Sequence, residues 1–167
     1  ATDTSISGVT IESNTFSNWG SRAIRIGTAN GAGTVTGIII NSNTFEMTAD
    51  TTEVIGGTAA GSATGSGNTF NVNSPAKIQK AINAAFSGET INVGAGTYAE
   101  DLTIPAGKDN LILFGADKTT TKIKGVSNVP VASWPLAVPN IDVRADGVKI
   151  HEFTIEGPNY EAGKYSS

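Results

Sequence analysis

Apolar and polar positions alternate in a pattern of nine residues that occurs twice near the start of the chain. Residues 8–16 read Gly-Val-Thr-Ile-Glu-Ser-Asn-Thr-Phe, and residues 37–45 read Gly-Ile-Ile-Ile-Asn-Ser-Asn-Thr-Phe. These copies are 29 residues apart, and looser copies begin at Gly67 and Gly147. Each copy predicts two short strands around a polar turn, with alternate apolar side chains on one face.

One such unit cannot bury its apolar face alone, but stacked copies can, with parallel strands about 4.8 Å apart. The sequence therefore predicts an all-β fold, a right-handed parallel β-helix (solenoid) in which Ile, Val and Phe form inward ladders. The Asn residues are expected where the chain turns, because Asn tolerates the left-handed region. A β-sandwich is the alternative, but it gives no reason for a 29-residue repeat.

Residues 74–86 predict the one clear helix of the sequence. Ser74 suits the N-cap and Pro75 suits the first helical position. Ser87 and Gly88 are expected to end the helix. The residues expected on its apolar face are Ile78, Ile82, Ala85 and Phe86.

Four strand-like runs follow this helix, each bounded by Gly, Pro or Asp. Together with helix residues 81–85, the runs 88–93, 96–100, 110–115 and 121–125 resemble the start of pectin methylesterases and related pectin-lyase-like proteins. The resemblance implies a β-helix with an amphipathic helix capping its first rung. The paired Asp residues, the Arg-Pro-Trp segment and the Gln residues that carry esterase chemistry in that family have no counterpart here. No catalytic residue is therefore predicted.

The order of the parts is unusual for that superfamily, because rung-like sequence lies on both sides of the cap. We predict one β-helix domain over residues 1–167. Within it, 1–55 are later-type rungs, 56–73 a Gly/Ser/Thr-rich connection, 74–88 the capping helix and 89–167 early rungs. The rungs are thus expected to be circularly permuted or shared between subunits.

The phase of the repeat across the two termini bears on this order. If Ala1 followed Ser167 directly, Gly147 and Gly8 would be 28 residues apart, close to the 29 between Gly8 and Gly37. Three arrangements fit. The N-terminal rungs stack on the chain's own C-terminal rungs, with residues 56–67 reaching back over about 40 Å. They stack on a neighbouring copy in a head-to-tail polymer. Or the chain spans the end of one β-helix and the start of the next.

Composition narrows the classes of partner. Charged residues make up 16% of the chain, and Gly, Thr, Asn and Ser carry its polarity, which suits an extracellular or cell-surface β protein. A net charge of -4 argues against nucleic acid. With no Cys there is no disulfide and no thiolate metal site. No apolar run approaches the roughly 18 residues of a membrane span.

Several side chains are candidates for a saccharide groove. Tyr98 and Glu100 lie in one of the family-like runs. Trp19 lies in a polar turn and Trp134 in an expected excursion between rungs, and either ring could stack on a sugar. The competing interpretation is that these side chains only pack. The Gly-Ala-Gly at 94–96 is followed by no helix and no P-loop Lys, which excludes a nucleotide loop.

Charged residues alternate along a later strand. Asp142, Arg144 and Asp146 are predicted to share one face, while Ile141, Val143 and Ala145 face the core. Such carboxylates beside an Arg suit acidic sugars or a Ca²⁺ ion, or form a weak surface ion pair. The lone His151 is a poor metal ligand. No cofactor and no metal site is predicted, with Ca²⁺ as the one compatible ion.

The sequence supports two hypotheses about function. The first is a non-catalytic extracellular or cell-surface structural protein whose rungs stack within or between subunits, into filaments in the second case. The second is a module that binds or degrades acidic polysaccharide, in the manner of a pectate lyase or pectinesterase. Sparse charge and missing catalytic signatures favour the first.

Overall fold

The computed structural model describes residues 5–28, 33–126 and 139–157. These residues form a parallel β-solenoid of about five turns with one short helix. The predicted fold class is confirmed at that level, and every strand pair is parallel.

The described residues contain eighteen short strands, the α-helix α1 and one 3₁₀ turn at Ala60–Ser62. Helix α1 spans Ile78–Ala84. The strands are β1 (Ile6–Ser7), β2 (Thr10–Glu12), β3 (Thr15–Ser17), β4 (Ile24–Arg25), β5 (Val35–Thr36), β6 (Ile38–Asn41), β7 (Thr44–Met47), β8 (Ile55–Gly56), β9 (Ala63–Ser66), β10 (Thr69–Val72), β11 (Thr90–Val93), β12 (Gly96–Ala99), β13 (Leu102–Ile104), β14 (Ile112–Gly115), β15 (Thr121–Lys124), β16 (Ile141–Val143), β17 (Lys149–His151) and β18 (Thr154–Glu156).

One sheet runs through the whole stack, and we call it the spine sheet. Its strands lie in the order β3-β7-β10-β11-β14-β17, which is the order of the chain. On one side of α1 the coil is completed by the sheets β1-β5, β2-β6-β9 and β4-β8; on the other it is completed by β12-β15-β18 and β13-β16. We call residues 5–72 the N-terminal unit and residues 89–157 the C-terminal unit.

The inward face of the spine sheet forms the core. The stacked residues are Phe16, Phe45, Phe70, Ile91, Leu113 and Ile150. The ring centroids of Phe45 lie 5.0 Å from Phe16 and 4.9 Å from Phe70, nearly parallel in both cases. The predicted inward ladder is therefore confirmed, and each fully buried Phe side chain contributes about 1.5–3 kcal/mol of transfer free energy.

A residue with a left-handed backbone conformation lies two positions before every spine strand. Its φ is between 54° and 77°. Because L-residues other than Gly, Asn and Asp are disfavoured there, Ser is a costly choice at two of the six positions. The repeated Asn residues lie in the turn, as predicted, but the left-handed conformation belongs to the residue before each of them, and the Asn side chains form hydrogen bonds. The six left-handed residues are Ser13, Ser42, Gly67, Gly88, Asn110 and Gly147.

Helix α1 begins later than the sequence predicted. Its N-cap is Lys77, with no cap from its own side chain, so the assignment of Ser74 and Pro75 to the helix start is wrong. The cap comes instead from the next rung, where the carboxylate of Glu100 accepts hydrogen bonds from the backbone N–H groups of Ile78 (2.9 Å) and Gln79 (3.1 Å). The helix also ends earlier than predicted, so that Ile78 and Ile82 of the predicted apolar face are buried within it, whereas the buried Ala85 is its C-cap and the half-buried Phe86 lies beyond it.

The helix lies in the middle of the stack. It packs against β13, β10 and β11. On the other side, Lys80 donates to the carbonyl of Thr52 at 2.8 Å, and Phe86 lies so close to Gly65 that a Cβ there would meet its ring at 2.4 Å. The helix thus separates the flanking sheets of the two units, and only the spine sheet passes it.

Two predictions about the order of the parts are wrong. Residues 56–73 are no simple connection, because β9 and β10 within them pair with β6 and β7. The N-terminal rungs do not stack on the chain's own C-terminal rungs, because β3 and β17 lie at opposite ends of the spine sheet. The physical reason is that the third copy of the Asn-Thr-Phe motif stacks directly on the second, so the coil continues without a return.

Equivalent strands of the sequence repeat lie on different faces of the coil in the two units. Residues 147–155 repeat the backbone of residues 8–16, with φ of 66° at Gly147 against 67° at Gly8 and 59° at Glu152 against 57° at Ser13. The second strand of the earlier copy lies in the spine sheet, whereas the later copy contributes its first strand. The sequence repeat therefore predicts the local backbone geometry of a rung, but it does not predict which sheet each of its strands joins.

Candidate functional site

Glu100 is a structural carboxylate. Its side chain is 8% exposed, and its oxygens are taken by the helix N–H groups described above. Burial raises the pKa of Glu100, and the hydrogen bonds from Gln79 and Ile78 oppose that rise. Both oxygens of this carboxylate are thus engaged with the helix backbone, which supports the packing interpretation.

Tyr98 is also enclosed. It is 3% exposed, and its hydroxyl lies 3.0 Å from the carbonyl oxygen of Gly94 and 3.2 Å from that of Val72. Burial raises the pKa of this hydroxyl. The ring therefore has no free face for a saccharide, although the sequence placed it in a candidate groove.

The structure describes one of the two Trp residues. Trp19 is half-buried at the N-terminal end of the stack, edge-on to Phe45 with ring centroids 6.3 Å apart. Its indole N–H is buried and has no hydrogen-bond partner among the described residues. Trp134 lies outside the described residues. Its predicted role stays a prediction, as does the stacking of a sugar on Trp19.

The charged row of the later strand forms a surface ion pair. The guanidinium of Arg144 donates to one oxygen of Asp142 at 2.8 and 2.5 Å, which raises the pKa of Arg144. Strand β16 ends at Val143, so the predicted alternation does not extend to Asp146. Asp146 is exposed and takes no part in this ion pair. Its backbone N–H donates to Oδ1 of Asp109 at 2.9 Å. Asp142 lies in β16 of the C-terminal unit, whereas Trp19 follows β3 at the other end of the stack, so the two residues are not brought together.

No described cluster suits a metal. Among residues 5–28, 33–126 and 139–157, no three His, Asp or Glu side chains are placed to hold an ion. The exposed His151 instead lies beside Phe114, with ring centroids 6.3 Å apart.

An inner ladder of amides ends at a buried carboxylate. Asn14 donates through its side-chain N–H to Oδ1 of Asn43 at 3.2 Å, and Asn43 does the same to Asn68 at 3.0 Å. Asn68 donates to Oε1 of Glu89 at 2.5 Å. Because an ionised carboxylate can only accept, Glu89 fixes the orientation of every amide below it.

Glu89 also anchors the end of the helix. Its other oxygen accepts the backbone N–H of Phe86 at 2.8 Å. Burial raises the pKa of Glu89, while burial lowers the pKa of the neighbouring Lys108. Lys108 donates to the carbonyls of Asn83 (3.1 Å) and Ala85 at the end of the helix. Glu89 and Glu100, both from one rung, therefore hold the two ends of α1.

A second row of polar groups, which sequence reasoning missed, lies on the outside of the spine sheet. Glu46, Asn71, Asn92, Phe114 and His151 are in register on five successive strands. We call them the outward row. All of them except His151 border a groove of about 450 Å³. The signal was available, because alternation that places Leu113 inward places Phe114 outward.

Comparisons with known proteins add no family. The chain matches no protein-family model and shows no significant similarity to a curated protein or a solved structure. Within the described part of the chain, no helix is both long and apolar enough to cross a membrane. What stands is a parallel β-solenoid with one internal helix, in which the buried carboxylates Glu89 and Glu100 accept hydrogen bonds from the protein's own backbone.

Proposed function

We propose that this chain is a non-catalytic structural module of an extracellular or cell-surface protein, a rod-like β-solenoid. The observation that carries the proposal is the use of its two buried carboxylates. Glu89 and Glu100 accept hydrogen bonds from the ladder and the helix, and general acid–base catalysis needs a carboxyl that can reach a substrate. The low charge and the Gly, Thr, Asn and Ser content support the location.

We further infer that the coil is right-handed and of the pectin-lyase-like kind. Parallel strands joined by crossovers are right-handed in about 98% of cases. The amphipathic helix before β11 and the rungs that follow it support the superfamily. The N-terminal unit lies below that helix, so the helix lies inside a continuous stack rather than at its end.

Stacking on a further copy is the second part of the proposal. At the N-terminal end of the described stack, Phe16 has a neighbouring ring on one side only, and at the other end Val143 and Ile155 are 46% and 50% exposed. An outer strand of this kind offers backbone groups to an incoming strand. Head-to-tail contact between copies would cover both ends.

Sedimentation velocity over a wide concentration range tests the stacking. We expect species that grow by one subunit, and we expect Thr15→Pro to abolish them because proline removes the N–H that an added strand would use. Thr15→Val keeps that N–H and is the matched control. A monomer at all concentrations would contradict self-stacking.

Assays on pectin and polygalacturonate test the non-catalytic claim separately. We expect no turnover above a heat-denatured sample. Turnover that disappears in Asp142→Ala would establish the enzyme hypothesis in its place, whatever the state of assembly.

A further inference from the structure

The outward row is continuous across the boundary between the two units. Glu46 and Asn71 belong to the N-terminal unit, while Asn92, Phe114 and His151 belong to the C-terminal unit. Parallel strands lie about 4.8 Å apart, so the row presents one side chain at each step along the rod. Among the described residues no other sheet extends through both units, so the continuity of the row depends on the spine sheet passing the helix.

The hydrogen bonds of this row have a fixed direction. Asn71 donates to Oε1 of Glu46 at 2.7 Å, and Asn92 donates to Oδ1 of Asn71 at 3.0 Å. Because the carboxylate only accepts, Asn71 must turn its amide nitrogen toward Glu46, and Asn92 must then turn its nitrogen toward Asn71. The row is thus a rigid, polarised line of amides rather than three independent surface side chains.

Hydrogen-bonding capacity remains along this line. Each side-chain amide nitrogen carries a second N–H. Within the described residues, the side-chain oxygen Oδ1 of Asn92 and Oε2 of Glu46 have no hydrogen-bond partner. Donors and acceptors consequently alternate along the groove. A hydroxyl group both donates and accepts, so a chain of hydroxyl-bearing rings matches this alternation.

Phe114 supplies an apolar face beside the amides. It is 44% exposed, although it lies in a central strand whose inward neighbour Leu113 is fully buried. Binding sites commonly combine an aromatic surface with a few fixed polar groups. The apolar face of a pyranose ring fits a Phe ring, while its hydroxyls reach the adjacent amides.

We propose that the outward row binds a neutral oligosaccharide, with one sugar ring stacked on Phe114 and the next rings hydrogen-bonded to Asn92, Asn71 and Glu46. Glu46 is the only charged side chain among the described residues that border the groove, and its charge repels a uronic acid. The ligand class therefore differs from the acidic polysaccharide that the sequence suggested. The site performs no chemistry and does not depend on self-stacking.

Titration calorimetry on the full chain tests this site with cellohexaose, mannohexaose, maltohexaose and hexagalacturonate. We expect at least one neutral hexasaccharide to bind and hexagalacturonate to bind more weakly. Phe114→Ala should weaken binding about tenfold, in line with the energy of an aromatic contact. Phe114→Trp should keep it, because the stacking face remains.

Ile39→Ala is the matched control, since Ile39 is an exposed apolar side chain (38%) on a different sheet. It should leave binding unchanged, and circular dichroism of each variant should show an intact fold. The proposal is overturned if none of the four sugars binds at millimolar concentration, if hexagalacturonate binds most tightly, or if Phe114→Ala binds as well as Ile39→Ala.

Discussion

The two units satisfy the same turn in two different ways. At the residue before each spine strand, the N-terminal unit places the hydrogen-bonded amides Asn14, Asn43 and Asn68, whereas the C-terminal unit places apolar Leu111 and Val148. Glu89 stands at the border and ends the amide ladder. The difference shows that the residue before a spine strand can be either a hydrogen-bonded amide or an apolar side chain, and that neighbouring rungs within one unit carry the same type.

Spacing differs along with the turns. Successive spine strands are offset by 29 and 25 residues in the N-terminal unit, by 21 across the helix, and by 22 and 37 in the C-terminal unit. The insertions fall between strands and leave the register of the sheet unchanged. A constant repeat length is therefore unnecessary for a continuous spine.

The largest effect is expected from breaking the aromatic core of the N-terminal unit. Phe45 is fully buried between two other rings, and Phe45→Ala should lower the free energy of unfolding by about 3–5 kcal/mol. Phe16→Ala, at the half-covered end of the same stack, should cost clearly less. Urea denaturation of both variants checks this, and equal losses would mean that the end of the stack is covered.

The second largest loss of stability is expected when a turn residue of the N-terminal unit is replaced by the type found in the C-terminal unit. Asn68→Leu places at this position the residue type found at Leu111. It removes the side-chain oxygen that accepts from the N–H groups of Asn43, and the side-chain N–H groups that donate to Glu89 and to the carbonyl of Ile40. Stability should fall by about 2–3 kcal/mol. Asn14→Leu, at the exposed end, is the control and should change little. A neutral Asn68→Leu would contradict the role of the ladder.

A somewhat smaller loss is expected when the helix cap is removed. Glu100→Ala deprives the N–H groups of Ile78 and Gln79 of their acceptor, which should cost about 2 kcal/mol. Hydrogen exchange should show faster exchange in α1 than in the spine strands. The exposed Glu12→Ala provides the comparison, and a matching loss there would remove the special role of Glu100.

The smallest predicted effect is a dependence of stability on pH. Burial raises the pKa values of Glu89 and Glu100 above the ordinary value of a Glu side chain. Such groups bind protons more readily in the folded state, so their contribution is fully present below the unfolded pKa and is lost as pH rises through the folded values. The Tm should therefore rise as pH falls from neutral toward 5 more steeply than in Glu89→Gln/Glu100→Gln. Parallel Tm profiles would refute this.

Much of the fold could be predicted from the sequence, because short-range patterns encode it. The repeated Asn-Thr-Phe motif specified strands, turn and inward Phe residues, and the structure places them in register. The order of the stack could not be predicted in the same way. Residues 147–155 and 8–16 share backbone geometry but join different sheets, and only packing around α1 decides which.

The candidate site shows the same limit. Tyr98 and Glu100 were chosen by chemical type, but their burial depends on the rung above and the helix beside them. The outward row could not be predicted because it depends on strand pairing. Asn71, Asn92 and Phe114 form a row only when strands far apart in sequence lie side by side.

The central claim is that the rungs stack in the order of the chain. Double electron–electron resonance between spin labels on Ser17→Cys and His151→Cys tests it directly, because the chain has no native Cys. Five strand steps separate the two positions, so we expect a distance of about 24 Å between their backbones. Dilution with unlabelled chain removes contributions from neighbouring copies. A distance close to one strand spacing, about 5 Å, that survives this dilution would place the first and last rungs together and contradict the account.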